Sequence, residues 1–535
     1  MAKAMIVGPQ PEAVEAGAVV LKNGGNAVDA AIACALVQTV VDPQMCGVAG
    51  FGSMQLYFPS KNFHEFIDFH TTAPECVRED MWKDLIEGEA RDGFGFFLKD
   101  RVNEVGYQSI MTPGSLKAYY EALSDYGSMD WKDVIQPAVD HAGRGFIVRP
   151  HVHQYWTKSN DFGRLASVEK LGFTESGKRI YFNEKGELWP PGSRVHNPDM
   201  ARSLARIQKS GADLFYKGDM AEQIADDVEK HGGYLSLNDL KSYQTTRIDP
   251  LWGEYRGCRV ATNQPPGGGV MILLMLHILE NFDLSTMGHN SPEYIRTVAE
   301  AMKYATIDKD MRVGDPEFVD VPLDELLSKS YAADLARRIK FGEKADVKRI
   351  NSGLKSQDTT HICVIDADGN AVTTTHSLGM PSGVITEGLG FMYNGCMSVF
   401  DPSPGRVGSI SPGKRRFTGM SPTIVFKGDD PYIIIGAPGG TFITMGILQG
   451  ILNVIDFNMT MFEAVSAPRF TANSNTIDVS NRIPCFITDE LEKQGYPIAR
   501  NYLSYAFSGV HGIRIKDGVL DGGADPGRDG MALLV

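Results

Sequence analysis

The chain has 535 residues, with 43% hydrophobic and 22% charged residues and a formal net charge of −14. Its sequence pI is near 5.4. This length exceeds one ordinary single-core domain and predicts two large lobes or one large interleaved unit. The acidic balance argues against nucleic acid as a partner, because phosphate binding needs a basic face.

From the N-terminus, Glu12–Lys22 carries Ala, Val and Leu at helical spacing and ends at Gly24-Gly25; Asn26 caps a second helix through about Gln38. Phe51–Phe58 and Phe63–Phe69 alternate as a β-hairpin. From Ser115 to about Phe341 the pattern is mainly helical, with helices over Ser115–Tyr126, Pro198–Lys209, Met220–His231 and Pro292–Asp308. Asn197 and Pro198 supply a cap and a first-turn proline for the second of these. Gly267-Gly268-Gly269 opens an apolar run that reads as a buried helix. Residues Phe341–Lys355 are polar and read as an exposed linker. Beyond them the chain turns β-rich. Strands are predicted over Thr359–Asp366 and Ala371–Leu378, joined by an Asp-Gly turn, and over Pro422–Phe426 and Tyr432–Ile435. A helical lobe followed by a β-rich lobe is the expectation, with the boundary near 355–359.

The N-terminus lacks a basic start, a long apolar run and a small-residue cleavage site, which predicts a cytoplasmic protein. No run of about 18 apolar residues predicts a membrane helix. The seven cysteines are scattered and odd in number, with no CxxC pair, so no disulfide framework or zinc knuckle is expected. His151 and His153 lack a third ligand, so no metal and no cofactor are expected. Gly408–Arg415 imitates a phosphate-binding loop, but Arg415 stands where a Ser or Thr must meet magnesium.

Chemistry concentrates at Asp358-Thr359. An internal threonine is a poor nucleophile. As a new N-terminus, Thr359 gains an α-amino group with a pKa near 8, so one residue supplies nucleophile and base. Its β-branch restricts the hydroxyl rotamer. The same hydroxyl can attack the Asp358 carbonyl and release itself. A second element, Gly439-Gly440, lies between an apolar strand and a helix, where backbone N–H groups and a helix N-terminus suit an oxyanion. His361 is assigned a structural role, since an N-terminal Thr needs no further base.

These segments keep company. Residues 24–31 (GlyGlyAsnAlaValAspAlaAla), Thr112–Ser115, Pro265–Gly269, Thr359–His361, Met420–Val425 and Ala437–Gly440 occur in the order in which the chain resembles the γ-glutamyltranspeptidase family of N-terminal nucleophile hydrolases. That resemblance implies an α+β fold, a four-layer αββα sandwich. It also implies a precursor cut into a large segment (1–358) and a small catalytic segment (359–535), forming a heterodimer and, as a further option, a dimer of heterodimers. By matching position, Thr359 resembles the nucleophile, Gly439 and Gly440 the oxyanion glycines, and Ser377 a supporting hydroxyl. A two-residue turn register puts Leu378 opposite Thr359, so that Ser377 needs a bulge to come alongside.

The pattern breaks at the positions that clamp a γ-glutamyl group. His70 follows Asp68-Phe69 where an Arg is usual, Gly379 replaces an Asn, and Asn394–Val399 lacks the Gln and both Asp. Thr418-Gly419 replaces Ser-Ser, and Arg416 replaces a Pro. Contacts of this kind are worth roughly 1.5–3 kcal/mol each. The sequence therefore predicts retained amide chemistry on a changed, small-molecule amide, closer to oxamate amidohydrolase-like or cephalosporin acylase-like members. Arg416 and His70 are the candidate contacts to an anionic substrate, against the alternative of a solvated basic cluster. Competing readings are a γ-glutamyltransferase or glutathione hydrolase with a remodelled pocket, and a non-catalytic, unprocessed relative that only binds.

Overall fold

The computed structural model describes residues 3–89, 95–158, 164–348 and 359–535. The strands of its two large sheets are β1 (Met5–Gly8), β2 (Phe51–Phe58), β3 (Phe63–Phe69), β4 (Thr246–Ile248), β5 (Leu251–Tyr255), β6 (Cys258–Thr262), β7 (Thr360–Ile365), β8 (Ala371–Ser377), β9 (Thr423–Lys427), β10 (Asp430–Gly436), β11 (His511–Lys516), β12 (Val519–Ala524) and β13 (Met531–Leu534). One sheet has the order β13-β1-β7-β8-β2-β3-β4 and the other β12-β11-β10-β9-β6-β5. All neighbours within them are antiparallel.

Side-chain alternation makes the layers. On β7, Ile362 and Val364 face a core shared with helices α1 (Pro11–Lys22) and α2 (Ala27–Val41). Full burial of each contributes roughly 1.5–3 kcal/mol. Cys363 and Ile365 face the other way, into a core with Ile424, Ile434 and Ile513 of the second sheet. That sheet's outer face (Val260, Val425, Ile433, Ile435) packs on α3 (Gly269–Leu279) and α4 (Ile443–Ile455). Helix, sheet, sheet, helix is the predicted four-layer sandwich.

Asn26 caps α2 as expected, accepting from the backbone N–H of Val28 and Asp29. The hairpin of β2 and β3 has the predicted bounds. Among the described residues, two separate lobes are not found. Segments on both sides of residues 349–358 contribute to both sheets, and β7 and β8 lie between β1 and β2. Strands β1, β4–β6 and β11–β13 were not legible in the pattern. They are short or flanked by mixed sequence, and pairing with distant partners defines them. Among the described residues, no helix is long and apolar enough to cross a membrane.

Candidate active site

One end of the first sheet gathers the candidate residues. There Gly8 pairs with Met531, Thr360 with His376, Ser377 with Phe51, and Gly52 with Phe69. Thr359 immediately precedes β7, and Ser377 ends β8. The register corrects the sequence expectation: Thr360 opposite His376 brings Thr359 level with Ser377, not Leu378. The cause is the turn. Ala367-Asp368-Gly369 forms a three-residue loop, with Gly369 at φ +80. The backbone N–H of Asp366 closes it by donating to the Asn370 carbonyl at 3.0 Å. The Asp366 carboxylate accepts from the backbone of Asp368 and of Asn370, each at 3.0 Å. The added residue shifts the register by one, and no bulge is needed.

The Thr359 and Ser377 hydroxyls share a hydrogen bond of 3.2 Å. Ser377 Oγ also accepts from the backbone N–H of Gly379 at 2.7 Å. Gly379 sits at φ +73, where a side chain is strained, and a Cβ there would lie 2.9 Å from Arg416 Nη2 and 2.6 Å from Cys396 Sγ. Arg416 is only 3% exposed. Its guanidinium lies 4.5 Å over the Phe51 ring and donates to the Phe417 carbonyl at 2.9 Å. The Phe51 ring is 5.8 Å from that of His70. Thr359, Ser377, Gly379, Arg416, Phe51 and His70 thus form one continuous wall. The solvated basic cluster is not found, since Lys414 and Arg416 are both buried.

His70 is held from behind. Its Nδ1 hydrogen bonds to the Asp68 carboxylate, while its Nε2 is buried without a hydrogen-bond partner. Asp68 also meets Arg415 at 3.3 Å, and Arg415 pairs with Asp315 at 2.6 Å and with Glu317 at 3.1 Å. Arg415, part of the false phosphate loop, is therefore a buttress. Burial alone would raise the Asp68 carboxyl; His70 and then Arg415 outweigh it and leave the group below the usual carboxylate range. A carboxyl depressed in the folded state contributes stability that is present above its unfolded pKa and is lost as pH falls through the folded value. Asp68→Asn should therefore lower stability near neutral pH and flatten the acid side of a Tm-against-pH curve. An unchanged acid limb would contradict this.

The second sheet closes the site. Gly436 ends β10 against His361, and a Cβ there would fall inside the imidazole. His361 hydrogen bonds Thr375 Oγ1 at 2.8 Å and Thr373 Oγ1 at 3.1 Å. Burial first, then neighbouring His376, pushes it down to about 3; it is a neutral packing group. Gly439 (φ +141) and Gly440 (φ +59) follow, leading into α4. Gly419 approaches so closely that a Cβ would collide with the Gly440 carbonyl. Thr418 donates its backbone N–H to the Pro266 carbonyl at 3.0 Å. Asn263 fixes this junction, donating to the Met420 carbonyl at 2.9 Å and accepting from Gly269 N–H at 3.1 Å. Phe51, Cys396 and Asn263 went unnoticed in the sequence because residues of these types mark no chemistry until the fold assembles them. Asp358 lies outside the described residues. Among the described residues, no group of three or more His, Cys, Asp or Glu is placed to hold a metal ion.

Two facing antiparallel sheets flanked by helices are the layered arrangement of the N-terminal nucleophile hydrolase class. A family model described as gamma-glutamyltranspeptidase matches residues 13–535, and the chain belongs to that family. It is 34% identical over 539 residues to the acylase ACY 1 proenzyme of Pseudomonas sp. (strain SE83), covering 100% of this chain and 94% of that one. It is also 34% identical over 548 residues to the glutathione hydrolase proenzyme of Escherichia coli (strain K12), covering 98% and 90%. Among solved structures, cephalosporin acylase from Bacillus halodurans superposes with a TM-score of 0.87 at 28% identity, covering 99% of this chain and 95% of that one. Helicobacter pylori γ-glutamyltranspeptidase gives 0.55 at 29% identity, covering 62% and 90%. The chain is thus an amidohydrolase or acylase of this family, which sets aside a relative that only binds.

Proposed function

We propose that this protein is an autoprocessing amidohydrolase in which Thr359 is the nucleophile and the substrate is a small, non-glutamyl amide bearing a carboxylate, oxamate-like or an acylated small acid. The observation that carries this reading is the continuous wall from the Thr359 hydroxyl to the buried Arg416 guanidinium. In maturation, Thr359 Oγ attacks the Asp358 carbonyl, the peptide bond becomes an ester as the Thr359 α-amine is released, and water hydrolyses the ester to a new carboxylate and the free Thr359 hydroxyl. The segments 1–358 and 359–535 then stay together as a heterodimer, because β7 and β8 are hydrogen-bonded between β1 and β2. The proenzyme names of the two curated relatives support this processing.

In turnover, the Thr359 α-amine takes the hydroxyl proton as Oγ attacks the amide carbonyl. Ser377 orients the hydroxyl. The backbone N–H groups of Gly439 and Gly440 receive the oxyanion. Collapse expels the amine, which takes the proton, and water then releases the acid from the acyl-threonine. Arg416 binds the substrate carboxylate, His70 Nε2 offers a further hydrogen bond, and Gly379, Thr418 and Gly419 shape the acyl pocket. A γ-glutamyl substrate, suggested by the Escherichia coli relative, carries an ammonium as well as a carboxylate. The nearby Asp68 is already engaged by His70 and Arg415, which favours the non-glutamyl reading.

A screen of the processed enzyme against γ-glutamyl anilide, oxamate and small N-acyl acids tests the substrate class; preference for γ-glutamyl anilide would overturn it. Arg416→Ala should raise KM for acidic amides roughly 10- to 100-fold, the loss of one charge-assisted contact, with kcat changed less. An unchanged KM would remove Arg416 from the pocket.

A further inference from the structure

Behind the nucleophile, on the helix side of the first sheet, lies a buried polar chain that the mechanism above does not use. Side chains alternate across β7 and β8. The Thr359 and Ser377 hydroxyls meet on one face. Thr360 and His376, the paired residues one step further in, point to the other face, where Ile362 and Val364 meet α1 and α2. Both Thr360 and His376 are fully buried.

The chain begins at Tyr119, on the helix Ser115–Tyr126, whose hydroxyl lies 2.6 Å from His376 Nδ1. His376 Nε2 is 2.7 Å from Gln38 Oε1 on α2. Gln38 Nε2 donates to Gln10 Oε1 at 3.0 Å and to the Pro9 carbonyl at 3.2 Å. Gln10 Nε2 donates to the Asp42 carboxylate at 2.5 Å. Gln10 Oε1 also accepts from the Thr360 hydroxyl at 3.4 Å, which joins the nucleophile strand to the chain.

Donor chemistry gives this chain one direction. The Pro9 carbonyl can only accept, so the Gln38 amide nitrogen faces it and the Gln38 oxygen faces His376. Burial pushes His376 down to about 3, so its ring is neutral and carries one N–H. That N–H is on Nε2, and Nδ1 accepts from Tyr119. Every donor therefore points toward the Asp42 carboxylate, and hydrogen bonds aligned in this way strengthen one another. The backbone at Gln10 is strained, with φ 60 and ψ 94, a region that residues with a Cβ rarely enter. Gln10 stands at the N-cap of α1, yet its side chain makes no capping hydrogen bond to that helix. Strain of this kind persists where the surroundings enforce it, and it clusters at functional sites.

We propose that Gln10, Gln38 and His376 are positioning residues for Thr359. Their chain ties the start of α1, the end of α2 and strand β8 to Thr360, and so fixes the row in which the Thr359 hydroxyl meets Ser377. It lies across the sheet from the wall that runs from Thr359 to Arg416, so it acts on the attacking atom and not on substrate binding. Self-cleavage and turnover use the same hydroxyl, and both depend on the chain. This inference rests on Thr359 being the nucleophile.

The test compares His376→Leu with His376→Gln in the full chain, using the best amide from the screen. Leucine interrupts the chain, whereas glutamine offers an oxygen to Tyr119 and an N–H to Gln38. His376→Leu should self-cleave and turn over roughly 10- to 100-fold more slowly, as when an attacking group is misplaced by about 1 Å, with KM nearly unchanged. His376→Gln should recover most of that loss. If His376→Leu fails to fold, Thr360→Val decides instead: it removes one hydroxyl, keeps the β-branch and should slow both steps with KM nearly unchanged. Wild-type rates in whichever of these variants is read, a loss carried by KM, or equal rates for His376→Leu and His376→Gln overturn the positioning role. A wild-type protein that is not cut before Thr359 overturns the nucleophile assignment instead.

Discussion

Thr359→Ala should give a single uncut chain without amidase activity, whereas the wild-type protein should run as two fragments, the second beginning at Thr359. The size of the effect follows from the chemistry. The substitution removes the atom that attacks, and loss of a nucleophile of this kind costs about 10⁴-fold or more in kcat. The variant should nevertheless fold. Thr359 precedes β7, outside the strand ladder, and its hydroxyl hydrogen bonds to Ser377, a contact worth about 1 kcal/mol. Thr359→Ser is the informative companion. It keeps the hydroxyl but loses the β-branch that limits rotamers, so it should process and turn over slowly rather than not at all. Intact mass and N-terminal sequencing read the cut; a Thr359→Ala chain still cut before residue 359 would sink the scheme.

How much of this was legible beforehand divides along physical lines. Local signals survived: Asn26 as a cap, the β2–β3 hairpin, and strands flanking an Asp-Gly turn are written in residues a few positions apart. The order of matching segments carried the fold class, because many weak motifs in sequence are jointly specific. Long-range placement was not legible. A hairpin register depends on whether the loop has two or three residues, and the Asp366 carboxylate decides that by holding two backbone N–H groups. Arg415 resembled a broken phosphate loop because its partners, Asp68, Asp315 and Glu317, come from distant segments. Burial of Arg416 against Phe51 was equally invisible, since the two are far apart in the chain. The candidate residues were chosen from separate stretches of sequence; their mutual geometry came only with the tertiary structure.

Gly439→Ala should be the second most damaging single change, with kcat reduced roughly 10²–10³-fold, as when an oxyanion donor is displaced. Two independent constraints act there. Gly439 adopts φ +141, outside the range that residues with a Cβ readily enter. Even with the backbone held in place, the added methyl would lie 2.7 Å from Ser508 Cα and 2.8 Å from its Cβ. Ser508 has little room to retreat, because its hydroxyl side packs on Gly446 of α4. The backbone at 439–440 must therefore move, and its N–H groups with it. Strain at such a position costs on the order of 1–3 kcal/mol, enough to lower Tm without unfolding a chain of this size. Proximity and the Thr359 α-amine are untouched, so KM should change less than kcat. A control at Gly428, which also has positive φ but faces open space, separates the two constraints: Gly428→Ala should show a small loss of stability and normal kcat. Equal kcat for the wild-type enzyme and Gly439→Ala would place the oxyanion elsewhere.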